Sequence, residues 1–345
     1  MVKRPHEREA SRFPETAIRN AMTSAPAKVN LTLELLGIRP DGYHELRSLV
    51  MPISLYESVV AKPTADGWIA CSTELSGIPP FDMDSVPPEK HLAVCAARAL
   101  REAAGIDCGA AIRIVKRIPV GAGLGGGSAD AAGALHELIR LWELNFSPER
   151  LAEIGASFAS DVPAMVLGGA VLMEGRGERV RRLTSLDHAP PLWLVLAFCG
   201  EPISTGAVYA ACPDRLAAPE GCLEHMVEAV RKGDARMAAE ALHNGLESTV
   251  YARYPHTSEL PVLLRGAGAL GTLLSGSGGV VFGLAEDEEH AQSIASRLPS
   301  SLWTRVVHTV CHANPTLPAS TSTESDPVCS RNAPDSEMPR LSPSM

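Results

Sequence analysis

Apolar and polar residues alternate near the start of the chain: Val29, Leu31 and Leu33 are apolar, while Asn30, Thr32 and Glu34 are polar. A period of two predicts a strand with one buried face. Pro40-Asp41-Gly42 marks a turn, and residues 45–62 read as further strand, broken at Pro52. A Pro-rich loop spans 78–88, and 89–104 (EKHLAVCAARALREAA) has the pattern of a helix. A short strand covers Ala111 to Val115 and ends at Pro119. The next helix carries Ala131, Leu135, Leu138 and Trp142 at three- and four-residue steps, which puts them on one apolar face. Pro148 suits the first turn of the helix that follows. Further on, 192–198 reads as strand, 219–231 and 234–250 as helices, and 270–274 with 280–284 as a strand pair around a glycine-rich turn. Strands and helices interleave without a strict βαβ repeat. The expected fold is α+β in two domains, 24–178 and 179–312, joined through the polar, turn-rich stretch 179–190.

The length of 345 residues agrees with about two domains. An apolar fraction of 45% against 21% charged residues excludes disorder throughout. The ends differ in kind. Residues 1–23 are polar and of mixed charge, and read as a flexible extension. Of the 33 residues in 313–345, six are Pro and ten are Ser or Thr, so this tail cannot bury enough apolar surface to offset its ordering entropy. The balance of 31 basic and 40 acidic residues argues against a nucleic-acid surface. No apolar run is long enough to span a membrane, and the first 23 residues lack the apolar core of a signal peptide. Eight scattered cysteines show neither a CxxC pair nor zinc-ligand spacing. They suggest reduced thiols and a cytoplasmic address. Nothing marks a dimer surface, so the expected state is a monomer or weak homodimer.

The chemistry concentrates in 119–130 (PVGAGLGGGSAD), where five glycines fall within seven positions directly ahead of the best helix. Glycines let backbone N–H groups approach a ligand and allow positive φ. The helix start adds unpaired donors and a partial positive charge. Together Pro119, Gly121, Gly123, Leu124, Gly125, Gly126, Gly127 and Ser128 suit a di- or triphosphate. The loop is not a Walker A motif, because no Gly-Lys-Ser/Thr follows. It is not a dinucleotide fingerprint either, since Pro119 interrupts the preceding strand and no acidic residue ends a second one.

The same loop resembles the second motif of the galactokinase, homoserine kinase, mevalonate kinase and phosphomevalonate kinase superfamily. The segment 25–31 (APAKVNL) is similar to the first motif and 274–279 (LSGSGG) to the third, in the family's order. Asp41-Gly42-Tyr43-His44-Glu45-Leu46 and Ser160-Asp161-Val162-Pro163 are similar to signatures of the branch that phosphorylates a cytidine-diphosphate-linked methylerythritol. The resemblance covers about 24–312.

This resemblance implies ATP and Mg²⁺ as cofactors and a small-molecule alcohol as acceptor. It implies Asp161 as general base and Lys28 as its cationic partner. Asn30 becomes a substrate contact on the strand face of Lys28, and Tyr43, His44 and Tyr209 a cytosine site. Thr205 would reach the substrate's phosphate or polyol. Ser275, Gly276, Ser277 and Gly278 would support the site, and Ser128 is the one metal-ligand candidate. Ala129, Ala159 and Met165 depart from the family's common Ser, Gly and aromatic residue. Two other readings compete: a kinase of the same fold with a different acceptor, and a non-catalytic nucleotide sensor. The sensor would be expected to lack Lys28 or Asp161, and the chain carries both.

Overall fold

The computed structural model describes residues 23–213 and 218–311. The extension expected at 1–23, apart from Thr23, and the tail expected at 313–345 lie outside them. The first half of the chain forms β1 (Thr23–Ile38), β2 (His44–Thr64), β3 (Ile69–Leu75), helix α1 (Leu92–Ala104), β4 (Gly109–Lys116), α2 (Gly126–Leu141), α3 (Pro148–Ala156), α4 (Val162–Leu167), β5 (Val171–Gly175) and β6 (Arg179–Arg182). The second half forms β7 (Trp193–Phe198), α5 (Thr205–Tyr209), α6 (Cys222–Lys232), α7 (Ala235–Glu240), β8 (His243–Asn244), α8 (Glu247–Arg253), α9 (Pro255–Gly266), β9 (Thr272–Leu274), β10 (Val281–Ala285), α10 (Glu288–Arg297) and β11 (Trp303–His308).

Two sheets result. The first has the order β3-β4-β2-β1-β8, with β5 on β2 and β6 on β5; the second is β11-β7-β10-β9. The α+β expectation holds. β6 belongs to the first sheet, so the passage between the sheets begins after Arg182 rather than at residue 179.

The long hairpin β1–β2 is the spine. Its register shifts between Pro26 and Ala27 and between Asn30 and Thr32, and such bulges re-aim side chains. Pro52 does not break β2, contrary to expectation. Its carbonyl accepts from Val310 on the edge away from β1, between the stretch paired with β5 and the stretch paired with β4. A missing N–H on that edge interrupts no ladder.

The expectation of one buried face on β1 also fails. Asn30, Thr32 and Glu34 are as buried as Val29, Leu31 and Leu33. Leu31 joins a core with α2 residues, whereas Leu33 joins a second core with β7 and β10. The strand is covered on both sides. Helix α2 presses Leu135 and Leu138 into the first core, where neither is exposed. Truncating either to Ala would cost about 2–5 kcal/mol.

The helix expected over 234–250 is cut at 241–246, because His243–Asn244 pair in parallel with Thr32 and Leu33 of β1. Among the described residues, six cysteines are free thiols. No described helix is long and apolar enough to cross a membrane.

Candidate active site

Every phosphate-loop residue singled out above lines one cavity of about 890 Å³ between the two sheets, together with Lys28, Asn30, Tyr43, His44, Asp161, Thr205, Tyr209, Gly276 and Ser277. Ser275 and Gly278 stand behind this wall.

The glycine-rich loop closes on helix α2. Gly125 caps the helix in the left-handed region at φ 71° and supplies no side-chain cap. The first-turn N–H groups are therefore left without a side-chain acceptor. Ser128 is buried inside this turn and lines the cavity, so it is not the cap. The loop is tied to the rest of the site through its carbonyls. Leu124 O accepts from the Lys28 amide at 3.0 Å, Ala122 O from Val280 at 3.0 Å, and Gly121 O from Ile203 at 3.0 Å.

Lys28 is the central cation. Its Nζ donates to Asn30 Oδ1 at 2.7 Å and to Gly123 O at 2.9 Å. Asn30 Nδ2 in turn donates to Ser48 Oγ at 2.8 Å, and Ser48 Oγ–H to Thr32 O. Asp161 Oδ2 lies 3.7 Å from Lys28 Nζ, an ion pair rather than a hydrogen bond. Burial lowers the Lys28 pKa below the ordinary lysine value, and Asp161 pulls it back up. Asp161 sits at the N-cap position of α4, yet its carboxylate makes no cap bond. The carboxylate is thus not spent on the helix end, and the side chain is 39% exposed in the cavity.

The far end of the cavity is aromatic. His44 and Tyr209 rings lie 5.6 Å apart at 50°, and His44 Nε2 is 3.2 Å from Pro213 O. That contact requires a protonated Nε2, which leaves Nδ1 as an acceptor in the neutral ring. Tyr43 is 54% exposed, so it is no packing aromatic. Arg176 covers it, with the guanidinium carbon 5.3 Å from the ring centroid. Burial raises the Tyr209 phenol pKa, and the charge of Asp161 adds to this. Thr205 Oγ1 shares a 2.7 Å hydrogen bond with Ser277 Oγ, which joins the start of α5 to the third glycine loop.

Sequence reasoning missed two groups. The first is buried: Lys116 Nζ donates to Glu57 Oε1 at 3.0 Å and Asp130 Oδ2 at 2.7 Å, while Glu57 also accepts from the amides of Arg117 and Ile118. Burial, and then the charge of Asp130, raises the Glu57 pKa to about 7, against the pull of Lys116 and the Arg117 amide. For Lys116, Asp130 and Glu57 outweigh burial and raise the pKa. Asp130 Oδ1 is buried with no partner. The available signal was an acidic residue on the buried stripe of α2. The second group is Phe81, Met83, Val86 and Leu92, an apolar wall at the same end as Lys116 and Asp130. Phe81, Met83 and Val86 come from the Pro-rich loop, where no periodicity marks them, and Leu92 opens helix α1.

Models of two GHMP kinase domains match the chain, the N-terminal one over residues 91–169 and the C-terminal one over 226–303. A 4-diphosphocytidyl-2-C-methyl-D-erythritol kinase of Pelotomaculum thermopropionicum is 44% identical, over 79% of this chain and 92% of its own. The chain belongs to this kinase family. A kinase of the same name from Symbiobacterium thermophilum is 41% identical, over 82% of this chain and 98% of its own. A crystal structure of 4-(cytidine 5'-diphospho)-2C-methyl-D-erythritol kinase superposes with a TM-score of 0.67 at 34% identity, covering 84% of this chain and 99% of its own. A homoserine kinase from Cytophaga hutchinsonii, at 19% identity and a TM-score of 0.66 over 88% of this chain and 98% of its own, shares the fold. As a member of the 4-diphosphocytidyl-2-C-methyl-D-erythritol kinase family, the chain is an ATP-dependent phosphotransferase.

Proposed function

We propose that this kinase transfers the γ-phosphoryl group of ATP to the 2-hydroxyl of 4-diphosphocytidyl-2-C-methyl-D-erythritol, a cytoplasmic step of non-mevalonate isoprenoid synthesis. One observation carries the reading: the Lys28–Asp161 pair lies in the same cavity as an uncapped, glycine-led helix start and the His44–Tyr209 ring pair.

ATP phosphates lie on the first-turn amides of α2, and the purine against Phe81, Met83, Val86 and Leu92. Cytosine stacks between Tyr43 and Tyr209. His44 Nδ1, an acceptor in the tautomer described, meets the cytosine amino group. Asp161 orients the 2-hydroxyl and takes its proton as the oxygen bonds to the γ-phosphorus, while the bond from phosphorus to the bridging oxygen of ADP breaks. Lys28 faces Asp161 as its cationic partner and offsets charge on the moving phosphoryl group. General-base help of this kind is worth about 10²–10⁴-fold. Asn30 holds Lys28 and faces the polyol, and Thr205 closes over it. Ser275, Gly276, Ser277 and Gly278 support the phosphate loop.

Mg²⁺ is compatible with these donors. Among the described residues there is no ready-made cluster of three His, Cys, Asp or Glu, but Mg²⁺ on a nucleotide takes few protein ligands. Ser128 would hold it, and the ion would neutralise charge on the β- and γ-phosphates.

The test is Mg²⁺-dependent ADP release with the cytidylated polyol, the same polyol phosphate without cytidine, homoserine and mevalonate. Turnover confined to the first compound supports the proposal. ATP binding without turnover on any of them rejects it.

A further inference from the structure

The substrate proposed above joins a cytosine to a polyol through a diphosphate. Its cytosine end rests at Tyr43, His44 and Tyr209, and its reacting hydroxyl at Asp161. The two negative charges between must cross the cavity wall that separates these groups. That wall is the turn between β5 and β6. Gly177 in this turn is packed so closely that a Cβ there would lie 3.3 Å from the Ser160 Cβ, beside Asp161. Arg176, one residue before, lines the cavity and stacks on Tyr43.

Four Lys or Arg side chains line the cavity: Lys28, Lys90, Lys116 and Arg176. Lys28 is engaged by Asn30, Gly123 and Asp161. Lys116 is held by Glu57 and Asp130, at the purine end with Lys90. Arg176 is the cation beside the cytosine site. Its side chain is 41% exposed, and Glu178 is the carboxylate in ion-pair range, at the outer limit of 4.0 Å. The turn is anchored at its base: the Arg176 amide donates to Glu178 at 2.7 Å, and Glu178 faces Arg39 of the Tyr43 turn at 3.8 Å. A planar guanidinium so placed can stack by its face and donate by its edge to phosphate oxygens.

We propose that Arg176 is the diphosphate-reading residue of the acceptor site, binding the pyrophosphate bridge of the nucleotide-linked substrate while its face backs Tyr43. The proposal rests on the cytidine reading of the site. Its test is inhibition by CDP and by cytidine, measured on the full-length wild type and on Arg176→Gln and Arg176→Lys.

The expected result is CDP affinity about tenfold or more weaker in Arg176→Gln. Cytidine affinity and the ATP KM should stay within about twofold, and Arg176→Lys should recover part of the CDP affinity. Equal losses for CDP and cytidine would overturn the proposal in favour of a purely stacking role. No loss for either would overturn it altogether. A wild type that CDP and cytidine both fail to inhibit would sink the underlying cytidine site instead, so the two failures are distinguishable.

Discussion

Gly123 and Ser275, 152 residues apart, interlock at the centre of the site. The Ser275 hydroxyl donates to Gly123 O at 3.0 Å, and a Cβ on Gly123 would come 2.0 Å from the Ser275 carbonyl oxygen. Gly123 also has φ 74°. The Gly123 carbonyl also accepts from Lys28, so one glycine couples the phosphate loop, the third glycine loop and the central cation. Gly123→Ala should force these loops apart. Strain and clash together cost at least about 1–3 kcal/mol, so the melting temperature should fall by several degrees and the ATP KM should rise. Unchanged values for both would show that the interlock does not matter.

Asp161 faces Lys28 without capping its helix. Asp161→Ala should therefore lower kcat by at least about 10²-fold and leave ATP affinity and thermal stability nearly intact. Single-turnover rates with saturating ATP make the comparison. Near-normal turnover would remove Asp161 from the role of base.

Tyr43 is exposed and presents a ring at the cavity rim. Replacing it with Ala should raise KM for the cytidine substrate by about tenfold and leave the ATP KM alone, since an aromatic stack is worth about 1–3 kcal/mol per base. Parallel changes in both constants would reject the stacking role.

Glu57 predicts opposite pH trends for binding and stability. Its carboxylate accepts from the amides of Arg117 and Ile118, which lead into the phosphate loop. With its pKa at about 7, the group loses charge below neutrality and weakens this brace. The ATP KM should rise as pH falls from 8 to 6, and Glu57→Gln should flatten the profile. Stability moves the other way. A folded pKa raised above the ordinary glutamate value of 4.5 means that the folded state holds the proton more tightly. The contribution is therefore present below pH 4.5 and lost as pH rises through about 7. Calorimetry across pH 5–8 on both proteins checks the sign.

The phosphate loop and its helix were legible because a glycine cluster followed by a 3.6-residue period has few other meanings. What covers a strand was not. Alternation from Val29 to Glu34 gives two faces, but sequence alone does not show the register shift between Asn30 and Thr32, beyond which Leu33 meets the core shared with β7 and β10. Asn30 is buried against Lys28 and Ser48, and Glu34 under Arg47. The pattern of 234–250 reads as helix throughout, and the pairing of His243–Asn244 with β1 overrides it. Arg176 carried no local signal, because its meaning comes from Tyr43, far away in the chain and brought close by the pairing of β2 with β5.

Both apolar cores contain residues from both sheets. One joins Val29 and Leu31 to Leu196 and Phe282; the other joins Leu33 and Val50 to Val195 and Val281. The cleft floor is thus continuous across the halves of the molecule. The halves cannot swing like jaws without exposing that interior, which would cost several buried side chains at about 1.5–3 kcal/mol each. Ligands must be admitted and released by rearrangement of the rim alone, and the scattering profile of the enzyme should be the same with and without nucleotide.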